Sequence, residues 1–88
     1  MATIFIPSLL RKLTAGKSSV TASGTTVGQL ITDLDRQFPG FRRQMIEDGE
    51  LKPSLAVSVD GEIGTQGLLE PVQEDSQIYI LPAIGGGT

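Results

Sequence analysis

One stretch of this 88-residue chain has the periodicity of a surface helix, and it limits what the rest can fold into. Val27, Leu30, Ile31, Leu34 and Phe38 fall at i, i+3, i+4, i+7 and i+11, which puts all five on one side of an α-helix. Thr26 and Gln29 have the spacing of a capping box, so the helix starts at Thr26, and Phe38-Pro39-Gly40 stops it. A single apolar stripe must be buried against another layer. Asp33, Asp35 and Arg36 lie off the stripe and are expected to face water. Gly28 in the first turn costs up to about 1 kcal/mol relative to alanine, which a close approach of helix to sheet would explain.

The remaining apolar residues come in strand-length blocks. Thr3-Ile4-Phe5-Ile6 is a short strand closed by Pro7, and Gln77-Ile78-Tyr79-Ile80-Leu81 is another, ended by Pro82. Two apolar strands at opposite ends of a small domain are expected side by side at the centre of a sheet. Ser18-Ser19-Val20-Thr21-Ala22 makes a more polar strand, so residues 3–22 form a hairpin with a wide loop. Phe41 with Met45 or Ile46 anchors a second, short helix over 41–48, with Gly49 as its C-cap. Leu55, Val57 and Val59 alternate with Ala56, Ser58 and Asp60, and Asp60-Gly61 turns the chain into Glu62-Ile63. Leu68 to Val72 is a short strand or turn with one leucine buried. Strand, strand, helix, strand, short strand, strand is the order of an α+β β-grasp, or ubiquitin-like, fold. It implies a mixed sheet of four to five strands with one main helix across one face.

Composition removes several function classes. With no Cys and no His, the chain has no disulfide, thiol nucleophile, imidazole base or Cys/His metal site. Residues 1–44 carry six basic and two acidic side chains, net +4; residues 45–88 carry one basic and eight acidic, net −7. The overall −3, with Arg11-Lys12 and Arg42-Arg43 the only basic doublets, argues against nucleic acid as a partner. The acidic half is either a solvated face or a field that steers the chain's end toward a basic partner surface. No apolar run is long enough for a membrane span and no signal peptide is evident, so a cytoplasmic location is expected.

After Pro82 the chain ends in Ala83-Ile84-Gly85-Gly86-Gly87-Thr88. Even at this chain's high glycine usage, three glycines at a specified position have odds of about 1 in 500. The expected division is therefore a β-grasp domain over 1–82 and a flexible glycine-rich tail over 83–88. A strip without Cβ atoms can thread a narrow channel that side chains would block. A frayed terminus is the other reading of the tail taken alone.

Further motifs point to a family. Val59-Asp60-Gly61-Glu62, then Glu74-Asp75-Ser76-Gln77-Ile78, then Ile80-Leu81-Pro82 ahead of the glycines resemble the ThiS/MoaD-like sulfur carriers over nearly the whole chain. Ile6-Pro7-Ser8-Leu9-Leu10-Arg11, Val20-Thr21-Ala22-Ser23-Gly24, Thr26-Val27-Gly28 and Ile31-Thr32-Asp33-Leu34 resemble the cysteine-biosynthesis branch of actinobacteria. The resemblance implies a protein co-substrate rather than an enzyme. Its C-terminal glycine carboxylate is adenylated by a ubiquitin-activating-type enzyme with ATP and magnesium, and is then converted to a thiocarboxylate that donates sulfide. No cofactor or metal is expected on the chain itself.

Aligning the Leu-Pro exits makes Gly86-Gly87 the active pair and Gly87 the working residue. Thr88 departs from the family pattern and is expected to be removed, for instance by a metalloprotease. Pro82, Ile84 and Gly85 are expected along the partner channel, and Phe5, Leu68 or Leu69 as docking residues, although core packing is their ordinary role. The expected acceptors are a cysteine synthase-like enzyme or the large subunit of molybdopterin synthase. The alternatives are that the chain is the small subunit of that synthase, a carrier for thiazole synthesis, a ubiquitin-like protein modifier, or a β-grasp interaction module with an incidental tail.

Overall fold

The computed structural model describes residues 1–82. Strand β1 (Ala2–Phe5) pairs antiparallel with β2 (Ser19–Ala22), and a 3-10 helix, Ser8–Thr14, fills the loop between them. Helix α1 (Val27–Gln37) and the short α2 (Phe41–Met45) follow. A small ribbon of β3 (Ile46–Glu47) and β4 (Glu50–Leu51) comes next. Then come β5 (Leu55–Val59), β6 (Glu62–Ile63), a second 3-10 turn (Gly67–Leu69) and β7 (Gln77–Pro82). The main sheet has the order β2-β1-β7-β5-β6, with β1 and β7 parallel and the other pairs antiparallel. The first and last strands are thus neighbours at its centre, as the apolar ends of the sequence require. This is a β-grasp domain: a five-stranded mixed sheet with one main helix across one face. Among the described residues no helix is long and apolar enough to cross a membrane.

The strands bury alternate residues. Ala2, Ile4, Val20, Ala22, Ile78, Ile80 and Val57 point at α1, which supplies Val27, Leu30, Ile31 and Leu34. Phe41 and Met45 of α2 close the end of this layer and are fully buried. Burial of these aliphatic and aromatic side chains is the main force holding helix to sheet.

Helix α1 begins as its sequence requires, with one change. Thr26 is extended and its Oγ1 accepts from the Gln29 N–H at 3.2 Å. Gln29 reaches one residue further back than a capping box demands, and its Oε1 accepts from the N–H and hydroxyl of Thr25 at 2.7 and 3.0 Å. Gly28 is explained by a close approach, but not to the sheet. A Cβ there would lie 3.1 Å from the Leu68 carbonyl oxygen and 3.3 Å from the Leu68 Cβ, so the second 3-10 turn is what needs the space.

Two other expectations are corrected. The acids of α1 do more than face water. Asp33 accepts from the Ser23 N–H at 3.1 Å, and Gln37 donates to the Thr21 carbonyl at 2.9 Å, so side chains of α1 occupy the outer edge of β2. Asp35 accepts from the Gly40 and Arg42 N–H groups at 3.1 and 3.0 Å and fixes the start of α2. The second helix stops at Met45 rather than 48, and Gly49 is not its cap. Asp48 and Gly49 both have positive φ, 56° and 79°, and form the two-residue turn of the β3–β4 ribbon.

Candidate tail exit and docking face

Strand β7 is held to its last residue. The β5 ladder runs from Val59↔Ile78 to Leu55↔Pro82, whereas pairing with β1 stops at Phe5↔Tyr79. The Asp60 N–H donates to the Gln77 carbonyl, and ladder alternation then turns the backbone of Ser58 and Ala56 toward β7 and that of Leu81 toward β5. The nitrogen of Pro82 therefore faces the β1 side, beyond the end of that pairing, where a missing N–H breaks no ladder bond. Pro82 is thus a paired residue of the strand rather than a breaker ahead of it. It is exposed, and the described residues end with it at the rim of the sheet. The expected working residues Gly86 and Gly87, with Ile84, Gly85 and Thr88, lie outside the described residues, as does the whole 83–88 tail.

The sheet face turned away from α1 leads to this exit. Register places Ser19, Phe5, Tyr79, Ser58 and Ile63 in one row across the five strands, with Ala56 beside Leu81 in the next row toward Pro82. The rings of Phe5 and Tyr79 stack with centroids 4.4 Å apart and planes 10° from parallel. Tyr79 is 40% exposed and Ile63 more so. Ser58 is buried between its neighbours, but Tyr79, Ile63 and Ser19 are exposed and Phe5, Ala56 and Leu81 half-buried, a mixture of apolar and polar groups that suits a protein-docking surface.

The proposed docking residues are not brought together. Phe5 is half-buried on this open face. Leu68 and Leu69 belong to the second 3-10 turn, on the helix side. There Leu68 packs against the core beside Gly28, and Leu69 is 75% exposed. Sequence reasoning missed Tyr79 and Leu9. Tyr79 was detectable as the outward position between Ile78 and Ile80, but its pairing with Phe5 depends on a register that no local pattern encodes. Leu9 is 79% exposed in the first 3-10 helix, where an apolar residue had no periodic reason to face out.

At the opposite end of the sheet Asp60 forms a latch. Its Oδ1 accepts from the Gln77 N–H and its Oδ2 from the Ser76 hydroxyl, both at 2.8 Å. Those bonds, the Gln77 one foremost, hold its carboxyl below the ordinary aspartate range. The Ser76 hydroxyl in turn accepts from the Gln73 N–H at 2.8 Å. The turn of the β5–β6 hairpin is thereby tied to the entry of β7, which fixes where β7 starts. Among the described residues, no three carboxylates gather as a metal site would require.

A small β-grasp domain whose central last strand is followed in sequence by a glycine-rich end belongs to the ubiquitin-like class. The chain matches the ThiS family over residues 4–87 and belongs to it. It is 33% identical to the sulfur carrier protein CysO of Mycobacterium tuberculosis (strain ATCC 25618 / H37Rv) over 90 aligned residues, 97% of each chain. The small archaeal modifier protein 3 of Haloferax volcanii is 28% identical over 64 residues, 70% of each chain. Among solved structures, the Amycolatopsis orientalis BexX/CysO complex contains a chain of the same fold. It superposes with a TM-score of 0.91 at 32% identity, covering 99% of this chain and 100% of that one.

Proposed function

We propose that this chain is a sulfur carrier whose C-terminal carboxylate is activated and loaded with sulfur by partner enzymes. The observation that carries the reading is full-length similarity to a sulfur carrier, within a family match that runs through Gly87 and leaves out Thr88. The chemistry follows from what a carboxylate lacks. It is a poor electrophile, so one of its oxygens first attacks the α-phosphorus of ATP, and pyrophosphate leaves. A sulfur nucleophile then attacks the acyl carbon, forming C–S as the C–O bond to AMP breaks. ATP and magnesium belong to the activating enzyme, and the carrier supplies an unhindered glycine carbonyl. With no Cys in the chain, no internal thiol intercepts the activated ester.

In this reading the mature carrier ends at Gly87, because a threonine carboxylate would place a branched side chain at the reacting carbon. Thr88 is removed by a trimming protease, a metalloprotease being the leading candidate. The open face with Phe5 and Tyr79 seats the adenylating enzyme while Pro82, Ile84, Gly85 and Gly86 lie along its channel. The sulfur acceptor makes cysteine or a related metabolite and is a cysteine synthase-like enzyme. The large subunit of molybdopterin synthase is the next candidate, and the cytoplasm the place of work. A CysO chain crystallised with BexX supports the idea of a dedicated partner for such a fold.

The form ending at Gly87, incubated with ATP, magnesium, its adenylating enzyme and a sulfide source, should gain mass equal to one oxygen replaced by sulfur. No gain with any native adenylating enzyme overturns the reading, and a loaded form that retains Thr88 overturns the trimming step. Similarity to an archaeal modifier favours a second reading, in which Gly87 forms isopeptide bonds with lysines. High-mass conjugates in cells, absent when Gly87 is replaced, would support it.

A further inference from the structure

The end of the sheet from which the tail departs is bordered by cations from the other half of the sequence. We propose that they form a basic rim that docks on acidic groups around the mouth of the partner's tail channel. The inference rests on the carrier reading and adds to it the chemistry of the partner surface.

Topology places the rim. Because β1 and β7 run parallel, the segment that follows β1 lies at the same end of the sheet as Pro82. That segment carries Arg11, Lys12 and Lys17, and the sequence contains no acid before Asp33, so the loop has no carboxylate of its own. It is a built structure. The Arg11 Nε donates to the Ile6 carbonyl at 3.0 Å, and the buried Thr14 hydroxyl is 3.2 Å from the Arg11 carbonyl and 2.9 Å from that of Lys17. Lys12 and Lys17 are exposed, and Leu9 stands out of the same 3-10 helix as an apolar contact. Among the described residues the one ion pair is Arg36–Asp33, which leaves these three cations free of carboxylates.

Four of the eight acids of residues 45–88 sit at the far end. Asp60 and Glu62 flank the β5–β6 turn, and Glu74 and Asp75 precede β7, all at the opposite end of the sheet. Glu47, Asp48 and Glu50, however, come in the segment that leads into β5, whose Leu55 pairs with Pro82, so the exit end has acids on its β5 side and the cations on its β1 side. The β1 flank of the exit is positive, and it favours acidic groups on the facing side of the partner's mouth by raising the encounter rate and fixing orientation.

The test compares charge reversals at the two ends. Lys12→Glu/Lys17→Glu spares the anchored Arg11, Lys12→Gln/Lys17→Gln is its neutral counterpart, and Glu74→Lys/Asp75→Lys changes the far end. Each is made in the full chain and in the form ending at Gly87, and ATP–pyrophosphate exchange by the adenylating enzyme is followed across ionic strength. Lys12→Glu/Lys17→Glu should raise KM for the carrier about tenfold at low salt with kcat unchanged, the glutamine pair should fall between, and the gap should close as salt rises. The far-end pair should move KM by less than about twofold, since screening confines the effect to its own end. An unmoved KM in the rim variants, or an equal response at both ends, overturns the basic rim while leaving the carrier reading intact. No exchange with the wild-type sequence in either form overturns both.

Discussion

The two faces of the sheet are cut from the same strands by alternation, yet their chemistry differs. The face under α1 takes Ile4, Ile78, Ile80 and Val57, all aliphatic and buried, and has no polar atom to place. The other takes Phe5, Tyr79, Ser58 and Ile63, with one stacked aromatic pair and several groups open to solvent. The first is sealed by its own chain, and the second is left for something else to cover. A shift of one residue along β7 would exchange the two sets, so the same register that secures the core also presents the open face. Stability and recognition are therefore coupled through register but separable through side chains.

That separation is testable with two phenylalanines. Phe41 is fully buried where α2 meets α1, and Phe41→Ala should cost about 3–5 kcal/mol of stability in chemical denaturation, from lost transfer energy and the cavity left behind. Phe5→Ala, on the open face, should cost far less, with the stack on Tyr79 contributing about 0.5–1.5 kcal/mol beyond area burial. Its larger effect should be on KM for the adenylating enzyme. Equal stability losses for the two variants would break the comparison, because the open face would then be core.

What was legible in the sequence follows the range of the forces involved. The α1 stripe, the start at Thr26 and the apolar first and last strands are local patterns, and all three are present. Asp48-Gly49 was misjudged because Phe41, Met45 and Ile46 suit a helix and Gly49 suits its cap. The deciding signal was the Asp-Gly pair, whose positive φ at both positions belongs to a hairpin. Gln29 bonding Thr25, Gln37 covering the edge of β2 and Leu68 crowding Gly28 are contacts between segments far apart in sequence or off by one residue. No periodicity announces them. Leu81-Pro82 marks the expected end of the domain in the sequence, but nothing local marks the cations at the same end of the sheet. Their placement depends on β1 and β7 being parallel neighbours.

Gly28 tests whether the helix side is as tightly determined as the buried face it covers. Alanine would gain up to about 1 kcal/mol of helix propensity. Its Cβ, however, would press on the Leu68 backbone oxygen at 3.1 Å, which can yield only if the Gly67–Leu69 turn moves. Gly28→Ala should therefore lower the denaturation midpoint slightly, with a net loss below about 1 kcal/mol. A clear stabilisation would show that the turn gives way freely and that Leu68 does not fix the helix.

The smallest effect is expected at Asp60, which lies at the end of the sheet shared by both faces. The Gln77 N–H and then the Ser76 hydroxyl favour its ionised form, so its carboxyl titrates below the ordinary aspartate value. Folding then binds fewer protons than the unfolded chain as pH falls. The latch contributes fully above the unfolded value, near pH 4, and is lost as pH drops through the lowered folded value. Asp60→Asn keeps an oxygen for the Gln77 N–H but has no charge to titrate. Its melting temperature should sit a little below wild type at pH 7 and converge on it as pH falls through the lowered folded value and the wild-type carboxyl protonates. Parallel melting curves across that range would mean that the carboxylate charge contributes nothing to where β7 begins. The positioning of both faces would then rest on the Ser76–Gln73 turn and the ladder alone.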